Sequence, residues 1–171
     1  TLLRPPELLA QLRGAAVGHL ITVPSYRGRS YLEDLGSLSP NLLDRIQSGR
    51  RDPLLPALRH VWTWDELPDG PAPAGMVEAL EDVVRPADDM VILFTSGSRG
   101  APKGVIHTHG GALGAVAESL GPRCLGHGDR LYIPMPFFWM GGFGGGLLSA
   151  LVAGATLVSE AEPEPTRTLA L

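Results

Sequence analysis

The chain has 171 residues, 44% of them hydrophobic, and a formal net charge of −4, which is enough apolar material for one core and predicts one domain or part of one. It has no basic run and no aromatics interleaved with Lys or Arg, which excludes the electrostatic footprint of a nucleic-acid binder. Cys124 is the single cysteine, so no internal disulfide can form, a reducing cytoplasm is the expected compartment, and the thiol reads as a small packing residue.

Pro5 and Pro6 suit a helix start, and Leu8, Leu9, Leu12 and Ala16 follow at helical spacing before the strand-like Leu20, Ile21, Thr22 and Val23. Tyr31, Leu32 and Leu35 predict a short helix, and Pro40 leads into another over residues 41–46. A strand is expected over residues 58–62, ahead of a proline-rich loop. Met76, Val77, Leu80, Val83 and Val84 form a helical stripe ended by Pro86, and Asp88 and Asp89 are expected to solvate the start of a buried strand over residues 90–94.

Val105 and Ile106 read as a returning strand, so that a hairpin holds the intervening loop at both ends. Leu113, Val116, Ala117 and Leu120 mark a helix stopped by Gly121 and Pro122, and Leu131, Tyr132 and Ile133 a strand. A glycine-rich helix then runs to Ala153 and Gly154, with a last strand over residues 155–158. Alternating helix and strand predicts α/β architecture with parallel pairing. The acidic, proline-containing residues 160–165 are the one place where disorder is expected.

The uncharged residues 131–159 are long enough to span a bilayer, for which about twenty apolar residues suffice. Pro134, Pro136 and six glycines dilute that run, and no Lys or Arg cluster flanks it, so a buried helix and strand is the preferred reading.

The loop over residues 95–104 reads Thr-Ser-Gly-Ser-Arg-Gly-Ala-Pro-Lys-Gly. Three glycines let backbone N–H groups approach an anion, three hydroxyls donate hydrogen bonds, and Lys103 brings a mobile charge. Composition alone leaves open a polar surface loop with incidental glycines. Two other phosphate motifs fail. A P-loop needs Gly before the lysine and Ser or Thr after it, where Pro102 and Gly104 stand, and a dinucleotide fingerprint needs a third glycine where Leu147 stands. His107 and His109 lack the further ligands a metal site requires and are assigned strand-end or helix-capping roles.

Residues 95–104 resemble the phosphate loop of the AMP-forming ligases, the superfamily of acyl-CoA synthetases, firefly luciferase and peptide-synthetase adenylation domains. They match its T-S-G-[ST]-T-G-x-P-K-G pattern at every fixed position but Arg99, where the family has Thr. Arg99 either adds a guanidinium to the triphosphate site or points to solvent. Residues 134–142, Pro-Met-Pro-Phe-Phe-Trp-Met-Gly-Gly, resemble the family's P-x-F-H-x-x-G segment beside the acyl pocket, with Trp139 at the usual His position.

The resemblance implies part of the layered N-terminal domain of an adenylate-forming ligase. Residues 1–86 would form a partial α/β subdomain and residues 87–171 the segment with the phosphate loop and acyl-pocket helix, in an incomplete parallel or mixed sheet flanked by helices. It further implies an ATP-dependent activation of a carboxylic acid as acyl-adenylate and its transfer to CoA.

Thr95, Ser96, Gly97, Ser98, Arg99, Gly100 and Lys103 would then hold the nucleotide, with Lys103 the catalytic residue and Thr95 helping to hold Mg²⁺. Trp139, Gly141 and Gly142 would border the acid, the glycines letting an acyl chain approach the backbone. The family's adenine-site motif, ribose-binding Asp and late catalytic Lys are not found in residues 1–171, so the chain is expected to be an internal excerpt that does not complete the reaction alone. The alternative is a non-catalytic nucleotide- or phosphate-binding module.

Overall fold

A computed structural model describes residues 3–26, 28–67, 70–95, 102–160 and 163–168. The chain falls into two compact units, Thr1–Leu80 with Phe94–Gly104, and Glu81–Leu93 with Val105–Leu171.

In the first unit, helix α1 (Pro5–Gly14) opens on two prolines, tolerated there because first-turn N–H groups have no helical acceptor anyway. Glu7 accepts a hydrogen bond from the Arg4 N–H at 2.8 Å and closes that end. Strand β1 (His19–Thr22) pairs in parallel with β4 (His60–Thr63), Leu20 opposite Val61 and Thr22 opposite Thr63. Parallel strands need a long crossover. Here it carries the antiparallel ribbon of β2 (Ser25–Tyr26) and β3 (Arg29–Ser30), then α2 (Tyr31–Gly36) and α3 (Leu42–Gln47).

Leu12, Leu35, Leu42, Ile46, Leu55 and Leu58 interlock as the core of this unit. The fully buried Asp52 carboxylate sits beside that core and is matched on every side, accepting from Ser39 Oγ at 3.0 Å, the Leu54 N–H at 2.9 Å and Arg45 Nη1 at 3.4 Å. A 3₁₀ turn follows β4 at Trp64–Glu66, where Glu66 accepts from the Thr63 N–H at 2.7 Å.

Helix α4 (Met76–Glu81) is shorter than its apolar stripe predicts. Val83 and Val84 lie past its end, and all five stripe residues are about half exposed. Asp88 departs from its expected role as well. It closes a turn, accepting from the Arg85 N–H at 2.7 Å, instead of only solvating a strand start.

Strands β5 (Asp89–Thr95) and β6 (Lys103–Thr108) form a two-stranded sheet. β5 is not the buried strand expected. Ile92 is 38% exposed and Ile106 on β6 56%, because a pair of strands has one face that no third layer covers among the described residues. Helix α5 (His109–Leu120) starts at Thr108, whose Oγ1 accepts from the Gly111 N–H at 3.1 Å. The His109 and Gly110 N–H groups donate to Asp88 O and Pro86 O, tying the helix start to the turn before β5. A Cβ on Gly110 would stand 3.0 Å from Pro86 O, which explains glycine there.

β7 (Arg130–Tyr132) and β8 (Thr156–Val158) pair in parallel, Leu131 opposite Leu157. Their crossover is one glycine-rich helix in three parts: α6 (Met140–Gly142), a π-helical segment (Phe143–Leu148) and α7 (Ser149–Ala153). Gly154, at φ +68°, ends it in the left-handed conformation that favours glycine. The architecture is α/β with the parallel pairs that the alternation predicts, and among the described residues the strands form four two-stranded sheets in place of the one partial sheet expected.

Two expectations are corrected at the ends of these elements. Cys124 is exposed, not packed, with φ +50° in the turn after α5. Around the acidic patch, Glu160 accepts from Tyr132 Oη at 3.0 Å and Thr168 Oγ1 at 2.7 Å, and α8 (Pro165–Thr168) follows, so Glu160 and Thr168 are held in place; residues 161 and 162 lie outside the described residues. Among the described residues no helix is long and apolar enough to cross a membrane.

Candidate functional site

The sequence of the phosphate-type loop places it between two strands, and the strand ends meet. Thr95 Oγ1 at the end of β5 donates to the Lys103 carbonyl at the start of β6, 3.4 Å away, so the chain reverses between them as the hairpin reading requires. Both residues are exposed, and Lys103 forms no ion pair among the described residues. An ammonium on a flexible stem at a strand end is free to follow an anion. Ser96, Gly97, Ser98, Arg99 and Gly100 lie outside the described residues.

The second set assembles where the chain enters α6. Trp139 is the residue before the helix, in extended backbone at φ −110° and ψ 152°, and its carbonyl accepts the Phe143 N–H at 2.8 Å. Its indole is 49% exposed and meets Phe138 edge-on, the ring centres 5.4 Å apart. Phe137, Phe138, Trp139 and Met140 are all about half exposed, an apolar group that a sequence favouring burial would not leave open without a use.

Gly141 and Gly142 lie beside Trp139 with their open faces occupied. A Cβ on Gly141 would stand 2.9 Å from Met135 Sδ, and one on Gly142 would stand 2.6 Å from the Pro136 carbonyl carbon. The absent side chains let the segment before the helix pack directly on its first turn.

Within the second unit α5 and the π-helical segment enclose a pocket of about 250 Å³, floored by Val91 and His107 and walled by Ala115, Val116, Phe143 and Leu148. Arg123 stands at its edge. Its Nη1 donates to Ser149 Oγ and its Nη2 to the Gly145 carbonyl, both at 2.7 Å, while Ser149 Oγ donates to the Gly144 carbonyl at 2.8 Å. A π turn moves carbonyls off the usual i→i−4 ladder, and these donors serve the displaced ones.

Neither Arg123 nor the π register was evident in the sequence. The run Gly144-Gly145-Gly146 signals a helix with close neighbours, but its register depends on an arginine 22 residues earlier. His107 lies within β6 with its side chain at the pocket, and His109 opens α5. Among the described residues no group of three His, Cys, Asp or Glu is placed to hold a metal ion.

Set beside known proteins, the chain matches over residues 1–171 the family described as AMP-binding enzyme. It is 37% identical, over 67% of its length, to a propanoyl:CoA ligase of Mycobacterium tuberculosis whose acyl group carries a methyl-dioxo-octahydro-indenyl ring system. It is 31% identical, over 95% of its length, to the putative acyl-CoA synthetase YngI of Bacillus subtilis. It spans 25% of the first relative's length and 32% of the second's. In fold it resembles O-succinylbenzoate Coenzyme A Synthetase (MenE) of Bacillus subtilis, solved in complex with ATP and magnesium ion, with a TM-score of 0.68 and 21% identity over 98% of this chain and 30% of that one. On the family match over its whole length, this chain belongs to the AMP-binding enzymes.

Proposed function

We propose that this chain serves in an ATP-dependent acyl-CoA synthetase, where it supplies the phosphate loop and one border of the acyl site, residues 1–86 and 87–171 being parts of one AMP-binding domain. The observation that carries the reading is the closed hairpin base, Thr95 against Lys103, beneath a loop of phosphate-gripping composition. The relatives named above, CoA ligases and a synthetase solved with ATP and magnesium, support it. The lone cysteine favours a reducing cytoplasm as its compartment.

A carboxylate is a poor acylating agent, because its leaving group would be oxide. In the proposed reaction a carboxylate oxygen attacks the α-phosphorus of ATP, the bond from that phosphorus to the bridging oxygen breaks, and pyrophosphate departs. The thiol of CoA then attacks the carbonyl carbon of the acyl-adenylate, loses its proton, and AMP leaves.

Charge accumulates on the departing pyrophosphate, so donors fixed in advance around it lower the barrier. Backbone N–H groups of residues 96–100 and the hydroxyls of Thr95, Ser96 and Ser98 take that role, with Arg99 part of the same run. Lys103, exposed at the strand end and in no ion pair among the described residues, neutralises the leaving group.

The Thr95 hydroxyl is an oxygen donor of the hard type that Mg²⁺ prefers, and among the described residues it makes a 3.4 Å contact to Lys103 O. Bound Mg²⁺ would supply charge neutralisation on the phosphate oxygens. Trp139 borders the acid, while Gly141 and Gly142 fix the turn that presents it.

The test is ATP–pyrophosphate exchange by the full-length protein with a panel of carboxylic acids. Lys103→Ala should slow exchange by about 2–4 kcal/mol of transition-state stabilisation, the range for losing one preorganised donor. Exchange at the parent rate in Lys103→Ala would remove this role. ATP binding with no exchange under any acid would point instead to a non-catalytic nucleotide-binding module.

A further inference from the structure

In the first unit, Leu20 on β1 and Val61 on β4 pack against the core. Alternation along each strand therefore sends His19, Ile21, His60 and Trp62 to the opposite face of the pair. His19 stands directly across from His60 in the parallel register, and both are exposed. Their Nδ1 atoms are 3.0 Å apart, and their rings lie within 6° of parallel with centres 4.9 Å apart.

Two features fix this approach. The Arg59 and His60 N–H groups both donate to the Gly18 carbonyl, at 2.7 and 3.3 Å, which pins the backbone at this end of the strands. The Trp62 ring lies parallel to both imidazoles, within 2° of His60 and 3° of His19, its centre 4.9 and 5.5 Å from theirs. Neither histidine joins an ion pair among the described residues.

Two bare ring nitrogens at this distance repel, and two N–H groups would collide. Without a ligand, one Nδ1 therefore carries the hydrogen that the other accepts. A divalent cation can replace that hydrogen, the donor ring shifting its proton to Nε2 so that both Nδ1 lone pairs face the metal. The spacing suits this exchange: two metal–nitrogen bonds of about 2.0–2.1 Å meeting at about 90–110° place the nitrogens roughly 2.9–3.4 Å apart. Imidazole nitrogen favours Zn²⁺, Ni²⁺ and Cu²⁺, whereas Mg²⁺ prefers oxygen. No third His, Cys, Asp or Glu joins the pair among the described residues, so water fills the remaining positions and the ion is exchangeable.

We propose that His19 and His60 chelate a divalent transition ion of the Zn²⁺ type through their Nδ1 atoms, on the sheet face of the first unit that points away from its core.

The experiment titrates full-length protein, free of any histidine tag, with ZnCl₂ and with MgCl₂ by calorimetry. ATP is left out, so failure of the acyl-CoA synthetase reading has no bearing on the result. Zn²⁺ should bind here and Mg²⁺ should neither bind nor compete. His19→Phe and His60→Phe each keep a flat ring beside Trp62 and remove the ligating nitrogens. Either should weaken binding of one Zn²⁺ equivalent by about tenfold or more, since even an outer-shell partner of a metal is worth that much. The double variant should lose no further equivalent, because a chelate fails once either arm is gone.

Cu²⁺ should occupy the same site more tightly than Zn²⁺ and quench the fluorescence of Trp62, a readout that the parent protein gives without any variant. Near-UV circular dichroism confirms that each variant is folded. The proposal is overturned if the parent protein takes up no more Zn²⁺ than Mg²⁺, or if both single variants, folded, keep the parent affinity and stoichiometry. It is equally overturned if the double variant loses two equivalents where each single variant loses one, since the two histidines would then bind ions separately.

Discussion

Among the described residues, Glu66 is the one whose proton equilibrium the fold displaces. The backbone N–H of Thr63, then its hydroxyl, donate to the carboxylate and hold its pKa below the ordinary 4.5. A carboxyl with a lowered folded pKa adds stability above the unfolded value, and that addition is lost as pH falls through the folded one. Glu66→Gln should therefore flatten the loss of stability on acidification below pH 4.5, read as melting temperature across pH 3 to 6; unchanged acid sensitivity would mean the capping contact carries no weight in solution.

At the same scale Trp139, half exposed before α6, is argued to border the acid. Trp139→Ala should shift the ratio of kcat/KM between a small and a large carboxylic acid by about tenfold or more, the discrimination a few apolar contacts supply. An unaltered ratio would reassign the indole to packing.

Elements differ in what their glycines are for, and the difference is measurable. On α6, an alanine at Gly142 would push Cβ to within 2.7 Å of Met135 O and closer still to Pro136, backbone atoms that cannot swing aside. Gly142→Ala should cost about 1–3 kcal/mol, as overpacking does. On α5, Gly114 has nothing within 4 Å of a modest added Cβ, so Gly114→Ala should leave stability unchanged or raise it by about 0.5–1 kcal/mol. Thermal denaturation of the two variants separates the cases; equal melting temperatures would refute the assignment.

The sequence made helices and strands readable where local signals agreed with packing. Pro5 and Pro6 marked a helix start, and the run from Met90 to Phe94 marked a strand. It was unreadable where a distant partner decides. The π register needs Arg123, the early end of α4 leaves Val83 and Val84 stranded beyond the helix, and the exposure of Ile92 depends on which layers lie over β5. For the candidate site, residue types alone proposed Thr95 and Lys103, because the chemistry of phosphate limits which side chains serve it; the structure adds that the two strand ends meet.

Across the whole molecule, burial is uneven. The first unit concentrates its core in Leu35, Leu42 and Leu58, each 1% exposed, whereas the helix of the second unit leaves Leu151 68% exposed. Leu42→Ala should cost about 2–5 kcal/mol and lower the unfolding midpoint accordingly; a loss well under 1 kcal/mol would mean this cluster relaxes freely.

The π-helical segment carries one last consequence. A π turn holds one residue more than an α turn over the same rise, so the helix stores a spare residue among Gly144, Gly145 and Gly146. Loss of a single glycine codon there would let the ladder close as an ordinary α-helix, with Ser149–Ala153 unmoved. Because the residue is the spare one, the segments on both sides would keep their facing, Trp139 included. Related genes differing by one glycine at this point would thus keep the same side chains in place and lose only the displaced carbonyls that Arg123 and Ser149 now serve.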